Sequence, residues 1–488
     1  MKKNILKLFL TITIVMAMVA CTSDFEEMNT NPNQLTSVPY TSLMTGAELS
    51  VLGTYAFLNN ELAKFRWVRY NSRDVYVHQD RYQITGEATN FNYYSGHLKD
   101  LKQAMEQASE AGDDNSLAVL KILTAYAYQN ITDWFGDIPY SEALMADDPN
   151  NPIIFPKYDS QESIYTDLIA QLKAANALID PDANIGEADV IFNGDMMMWK
   201  RFCNSLLLRV YMRISNVSPS VARAGIEEIM ANPSTYPIIT SVDNAAFKHW
   251  LPDDPIYRSP WWINPANNPK SLSEVVCSAF LIKFLKDRND PRLPVYAEPA
   301  LNSGEYVGNP LGHLGSNTPD LSIRGIAEFG SKDSPTRIMR YAEVMFILAE
   351  AALNGWNVGM TAQDAYEAAI KASFDEYGLT GVQSYLNDPL VDWNGGTPQR
   401  ELIGDQKWIA LYLDGSQAWA EVRRTGYPVY VDVTEPEGTF YPGMGTIKRI
   451  PYPYSEEINN PENLAAAKAN QPGIISEKFG AGVWWDVN

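Results

Sequence analysis

Histidine and cysteine are scarce in this chain. Its four His, at positions 78, 97, 249 and 313, are too scattered to form the close pairs from which protein metal sites are built. Three Cys cannot make a disulfide framework, and if Cys21 is consumed by processing only Cys203 and Cys277 remain. Both lie in apolar stretches of helical period, which predicts buried free thiols. Basic charge is also short. With 38 Lys and Arg against 59 Asp and Glu, the formal charge of −21 repels phosphate backbones and acidic lipid, excluding nucleic acid as a partner and direct adsorption to an anionic bilayer. No HExxH, GxSxG, P-loop or GxGxxG occurs, so no catalytic residue, cofactor or metal is expected. The nearest approach to a calcium loop, DPDANIGEAD at 180–189, puts Gly186 at the seventh place instead of the sixth and Ile191 where the twelfth-place Glu belongs. Glu343 and Glu350 are two helical turns apart in a polar seam, a spacing that suits bonding within a scaffold, or solvation, better than glycoside hydrolysis.

Long hydrophobic runs are missing too, with one exception. Lys2 and Lys3 precede an apolar run from Leu6 to Ala20, shorter than the roughly 20 residues a spanning helix needs. Its make-up is that of a secretory signal over residues 1–20. Met18-Val19-Ala20-Cys21 resembles a bacterial lipobox, with Met18 where Leu is usual, which implies cleavage before Cys21 and lipid on its thiol. The acidic run Ser23-Asp24-Phe25-Glu26-Glu27 resembles the surface-export signal of certain Gram-negative lipoproteins. Residues 21–38, polar and turn-forming, read as a tether.

The body that follows is 45% apolar across a 488-residue chain, enough for a large core. Its clearest stretch is 334–378. Ser334 and Pro335 supply a helix start and Gly355 a left-handed stop; between them Tyr341, Val344, Met345, Leu348, Ala351 and Ala352 keep a 3,4 spacing. A second row, Phe346, Ala349 and Leu353, covers another side. Thr361 to Asp364 resembles a capping box for a partner helix that turns Ala365, Tyr366, Ala369, Ile370 and Phe374 inward. One such hairpin cannot bury both faces, so stacked neighbours are required. Helical spacing recurs from Tyr40, over Leu117–Ile131, from Asp159 to Leu178, from Trp199 to Ile214, and from Ser218 toward Met230. The fold class is therefore all-α: a tetratricopeptide-like scaffold of helical hairpins over 39–232 and 336–425. Between them, 233–335 is an irregular lobe rich in Pro and aromatic residues with one helix from about Ser271 to Leu285. Residues 426–488 form an irregular C-terminal wrap.

The lobe and the N-terminal half carry aromatics without helical period. Trp250, Tyr257, Trp261 and Trp262, then Tyr296 and Tyr306, stand in the lobe; Trp67, Tyr70, Tyr76, Tyr82, Tyr93 and Tyr94 are interleaved with Arg69 and other polar residues upstream. Flat rings beside guanidinium and amide donors suit sugar faces and their hydroxyls, or extended peptides. The candidate ligand residues are Trp67, Arg69, Tyr82, Trp250, Tyr257, Trp261, Trp262 and Tyr306. Each ring is as well suited to plug a small core of its own loop. Trp261 and Trp262 lie between Pro260 and Pro265, where an extended backbone points neighbouring side chains to opposite sides.

Six blocks in order, NTNPNQ, ADVIFNGDMMMWKRFCNSLLLRVYMRIS, NDPRLPVY, RYAEVMFILAEAALNGW, GDQKWIALYLDGSQAWAEVRRTGYPVY and RIPYPYSEEINNPEN, are similar to the SusD/RagB-like outer-membrane lipoproteins. The resemblance spans nearly all of the chain after Cys21. It implies a four-unit tetratricopeptide-like scaffold with a loop-rich ligand lobe, lipid-anchored at the cell surface. It also implies a SusC-like TonB-dependent barrel as partner, over which the protein sits as a lid to deliver an oligomeric nutrient, with a glycan as the leading candidate and a peptide as the alternative. Two other functions fit the residues: a surface hydrolase of the same oligomer, and a helical-repeat scaffold for protein or peptide partners.

Overall fold

Helix formation begins at Tyr40, where the apolar spacing places it. The structure, a computed structural model, describes residues 38–56, 60–83, 91–253, 259–260, 262, 274–325, 331–429, 434–471 and 482–487. The chain divides into Met1–Pro39 and a compact unit, Tyr40–Asn488. The signal, Cys21 and all of the tether before Val38 lie outside the described residues. Helices α1 (Tyr40–Ala56), α2 (Asn60–Trp67), α3 (Lys99–Ala111), α4 (Asp114–Phe135), α5 (Gln161–Leu178), α6 (Met196–Arg213) and α7 (Pro219–Ala231) fill the first half. After them come α8 (Ala279–Asp287), α9 (Leu293–Tyr296), α10 (Tyr341–Leu353), α11 (Ala362–Asp375), α12 (Val382–Leu386), α13 (Gln399–Ala410) and α14 (Gly415–Thr425). Two short helices, α15 (Tyr454–Asn459) and α16 (Pro461–Asn470), close the series.

Consecutive helices pack as hairpins, α3 on α4, α4 on α5, α5 on α6, α6 on α7, and α10 on α11. This is the all-α, tetratricopeptide-like architecture expected from the sequence. Local chemistry fixes many of the starts: the side chains of Asp113, Ser160, Asp195, Ser278, Thr361 and Asp414 each accept a hydrogen bond from the backbone N–H three residues on. Gly355 stops the α10 region at φ 76°, a conformation side chains resist. Gly225 serves closeness instead, since a Cβ there would stand 2.1 Å from the Tyr211 ring where α7 crosses α6.

Three antiparallel strand pairs stitch distant segments together: β1 (Asn71–Arg73) with β5 (Val275–Cys277), β2 (Ile138–Pro139) with β3 (Tyr158–Asp159), and β4 (Ala246–Lys248) with β6 (Thr336–Met339). They account for the main departures from the sequence reading. Ser334-Pro335 opens β6, not a helix; α10 starts only at Tyr341, because residues 336–339 find a pairing partner some ninety positions upstream. The lobe helix begins at Ala279 behind a Ser278 cap, not near Ser271. Cys277 accordingly sits in a strand, whereas Cys203 lies on α6 as expected. Both thiols are free and buried, and burial pushes each up to about 12. The C-terminal wrap, read as irregular, contains α15 and α16.

The polar seam of α10 is bonded into the scaffold. Glu343 takes Arg209 of α6 in a bidentate pair, 2.7 Å on each arm, and Arg209 also donates to the Ile338 carbonyl at 3.0 Å. Glu350 takes Arg424 of α14 likewise. Arg424 also bonds Glu421, which faces Lys407 at 2.8 Å and Arg213 at 3.5 Å. Burial pushes the Glu421 carboxyl up, but Arg424, Lys407 and Arg213 outweigh it and hold the group well below the usual carboxylate range. Such fully buried pairs join α6, α10, α13 and α14 with fixed geometry.

Candidate functional site

The segment that follows α2 departs most from regular structure. Arg69, Tyr76 and Tyr82 have φ of 63°, 55° and 64°, left-handed values that non-glycine residues avoid unless their surroundings impose them. Asp80 braces the same segment from within. Its buried carboxylate accepts the Arg73 N–H at 2.8 Å and the Ser72 hydroxyl at 3.2 Å, and meets Arg66 at 3.0 Å. Burial raises its pKa in spite of Arg66.

Asn309, fully buried, joins this segment to the lobe. Its amide donates to the Arg73 carbonyl at 2.9 Å and to Ser72 Oγ at 3.2 Å, while its side-chain oxygen accepts from Ser316 at 2.7 Å. Its backbone pairs with Cys277 and Ala279. Nearby, Thr318 donates to Asp74, and Arg81 Nε donates to the Gly312 carbonyl at 2.9 Å. A third stretch closes over both: Arg69 donates to the Thr434 carbonyl, the Glu437 N–H to the Leu311 carbonyl at 2.8 Å, and His313 pairs with Glu437 at 2.9 Å. Segments 69–82, 309–318 and 434–440 are thereby locked to one another.

Large apolar side chains remain exposed on these segments and beside them: Tyr76 at 63%, Leu314 at 55%, Phe440 at 52% and Leu301 at 84%. A cavity of about 540 Å³ opens between residues 298–301 and 318–323, walled by Pro299, Leu301, Pro319, Leu321 and Ile323 with Glu298 and Thr318 as its polar members. An exposed ring, an apolar hollow and hydrogen-bonding loops held rigid from behind are the parts of a non-covalent binding site. Among the described residues no group of three His, Cys, Asp or Glu is arranged to hold a metal ion.

The residues singled out in the sequence fall into three groups. Trp67, Arg69, Tyr82 and Trp250 are buried, which corrects the expectation that they face a ligand. Trp67 packs on Trp419 with ring centroids 4.8 Å apart, and Trp250 donates its indole N–H to Thr336 at 3.0 Å; α14 and β6 claim them as core. Trp262 and Tyr306 are half-buried. The Lys332 ammonium stands 5.3 Å from the Trp262 ring, and Tyr306 packs on the core edge, where burial and the nearby Glu298 raise its pKa. Tyr257 and Trp261 lie outside the described residues. The sequence reading passed over Leu301, Leu314, Phe440 and the hub Asn309. Tyr76 was noted among the aromatics, and nothing in its surroundings in sequence sets it apart from Tyr82.

The profile of a SusD-like family, described as "Starch-binding associating with outer membrane", matches residues 32–453. The chain belongs to this SusD-like family. Among solved structures, a chitin-binding protein shares 26% identity, with a TM-score of 0.78 over 92% of this chain and 100% of the other. A SusD homologue from Bacteroides uniformis shows 26% identity and a TM-score of 0.76 over 92% and 99%. A chitin-binding SusD homologue from Flavobacterium johnsoniae gives 26% and 0.74 over 91% and 99%. A comparison with curated proteins returned no match. This SusD-like chain thus falls in a glycan-binding, outer-membrane-associated family, and no helix among its described residues is long and apolar enough to cross a membrane.

Proposed function

We propose that this protein captures an oligomeric glycan at the cell surface and hands it to a SusC-like TonB-dependent barrel, without turning it over. Family membership supports the glycan class; the observation that carries the site is the locking of three distant segments, 69–82, 309–318 and 434–440, through Asn309, Arg81 and Glu437. Rigid backing of an exposed ring and an apolar hollow keeps ordering losses small on binding, which weak sugar–protein contacts require. The lobe 233–335 and the wrap 426–488 then supply the ligand face, and the helical scaffold carries it. Half-buried Trp262 and Tyr306 stay candidate contacts, joined by Tyr257 and Trp261. Binding in place of hydrolysis is supported by Glu343 and Glu350, whose carboxylates are each spent on an arginine.

The test is titration of the detergent-solubilised full chain with starch, chitin and peptide oligomers, chitin-type ones first because two similar structures are of chitin-binding proteins. Binding of a glycan with no new reducing ends supports the reading. Turnover abolished by a single Asp or Glu substitution would establish a hydrolase instead, and a protein or peptide as sole ligand a repeat scaffold. Delivery predicts co-purification with a TonB-dependent barrel from the outer membrane.

Anchoring is proposed through lipid on Cys21, the acyl acceptor of the lipobox-like stretch. Cys21→Ala then leaves an unlipidated form, whereas replacing Asp24, Glu26 and Glu27 by Ala keeps the lipid and loses surface exposure. Fatty-acid labelling and protease shaving of intact cells read the two outcomes separately, and label persisting in Cys21→Ala would refute the anchor.

A further inference from the structure

We infer that the cavity beside Leu301 selects by charge, admitting uncharged oligosaccharides and turning away those that carry uronate or sulfate; this rests on the glycan-capture reading. Its walls are the apolar Pro299, Leu301, Pro319, Leu321 and Ile323, a surface suited to the C–H face of a pyranose or the methyl of an acetamido group. The polar lining is Glu298 and Thr318, and the Thr318 hydroxyl donates its hydrogen bond to Asp74. Asp320, between the lining residues Pro319 and Leu321, adds negative charge, fixed by amides of Asn302 at 2.7 Å and Asn317 at 2.9 Å.

Among the described residues, the lining of the cavity carries no Lys, Arg or His. Arg73 faces Glu274 at 3.6 Å, Arg81 Nε is held by the Gly312 carbonyl at 2.9 Å, and His313 is paired with Glu437 at 2.9 Å. Arg324 is only 3% exposed. A carboxylate or sulfate entering the hollow sheds water, meets no cation in the lining, and is brought close to Asp320, which is bonded to neutral amides. An uncharged sugar loses no ion hydration and keeps the apolar contact. Discrimination therefore comes from repulsion of the wrong ligand as much as from attraction of the right one.

Calorimetry on the detergent-solubilised full chain tests this with four hexasaccharides, chitin-derived, maltose-series, galacturonate and chondroitin sulfate, at about 50 mM and about 500 mM NaCl. At least one neutral hexasaccharide binds, and both anionic ones bind about tenfold or more weakly at low salt, a gap that narrows at high salt as the repulsion is screened. Asp320→Asn narrows the low-salt gap. Leu301→Asp, on a side chain already exposed, weakens neutral binding by about tenfold and so locates it at this cavity. An anionic hexasaccharide within about tenfold of the best neutral one at low salt overturns the inference while leaving glycan capture intact. Unchanged neutral binding by Leu301→Asp does the same. If no hexasaccharide of either charge binds, glycan capture itself falls and takes the charge filter with it.

Discussion

Glu421 shows at the residue scale how the scaffold spends charge. Its carboxylate is surrounded by Arg424, Lys407 and Arg213, so Glu421→Gln leaves buried cations without compensation and costs about 3 to 5 kcal/mol in denaturant unfolding. The sign of the pH effect follows from a folded pKa held below the ordinary value. The stabilisation is fully present above about pH 4.5, the unfolded value, and is lost as pH falls through the folded one; the wild type therefore loses stability on acidification faster than Glu421→Gln. Equal acid slopes would count against this account. Aromatic residues divide by burial in the same way. Trp67→Ala empties a space against Trp419 and costs about 3 to 5 kcal/mol, seen as a lower melting temperature. Tyr76→Ala, at an exposed position, spares the melting temperature and weakens glycan binding by about 2 kcal/mol, some thirtyfold. Should the two variants behave alike in both measurements, burial has been a poor guide to role here.

Among the elements, strand β1 and the segment after it depend on Asn309 more than on their own sequence. Asn309→Ala removes the bonds to Ser72, Arg73 and Ser316, leaves the Arg73 carbonyl short of a buried donor, and costs about 1 to 3 kcal/mol. Because the loss falls where three segments meet, amide exchange should quicken in 71–82 and 309–318 while α4 and α6 stay protected, and glycan affinity should drop with it. Uniform loss of protection across the helices would show instead that Asn309 supports the whole unit. The α11 hairpin is a purely local contrast: Thr361→Ala deletes a cap accepting from Asp364 N–H at 3.1 Å, costs about 1 kcal/mol, and leaves binding unchanged.

For the whole molecule, the hairpin scaffold acts as a rigid frame on which irregular loops are hung. Buried arginine–carboxylate pairs tie α6 to α10 across 134 residues and α10 to α14 across 74, and Asp133 on α4 accepts from Tyr165 at 2.5 Å and from Trp485, near the chain end, at 2.8 Å. A frame closed in this way lets loops hold left-handed residues such as Tyr76 and Tyr82 without loosening the core. Function then varies with loop chemistry while the frame persists.

The sequence by itself determined the main hairpin helices and their order, though not α15, α16 or the starts of α8 and α10, because 3,4 spacing, caps such as Thr361 and stops such as Gly355 act within a few residues of one another. It also showed that Glu343 and Glu350 form a seam, though not that Arg209 and Arg424 complete it. Tertiary structure alone decided where pairing is non-local. Residues 336–339 became a strand because Ala246–Lys248 lies alongside, and Ser334-Pro335 lost its meaning as a helix start. The same limit governed the site. Trp67, Tyr82 and Trp250 share with Tyr76 an irregular, polar-flanked context, and only the packing of α14 and β6 against Trp67 and Trp250 separates core from surface. Exposure is a property of the segments that cover a residue, and those come from far along the chain, where local spacing carries no information.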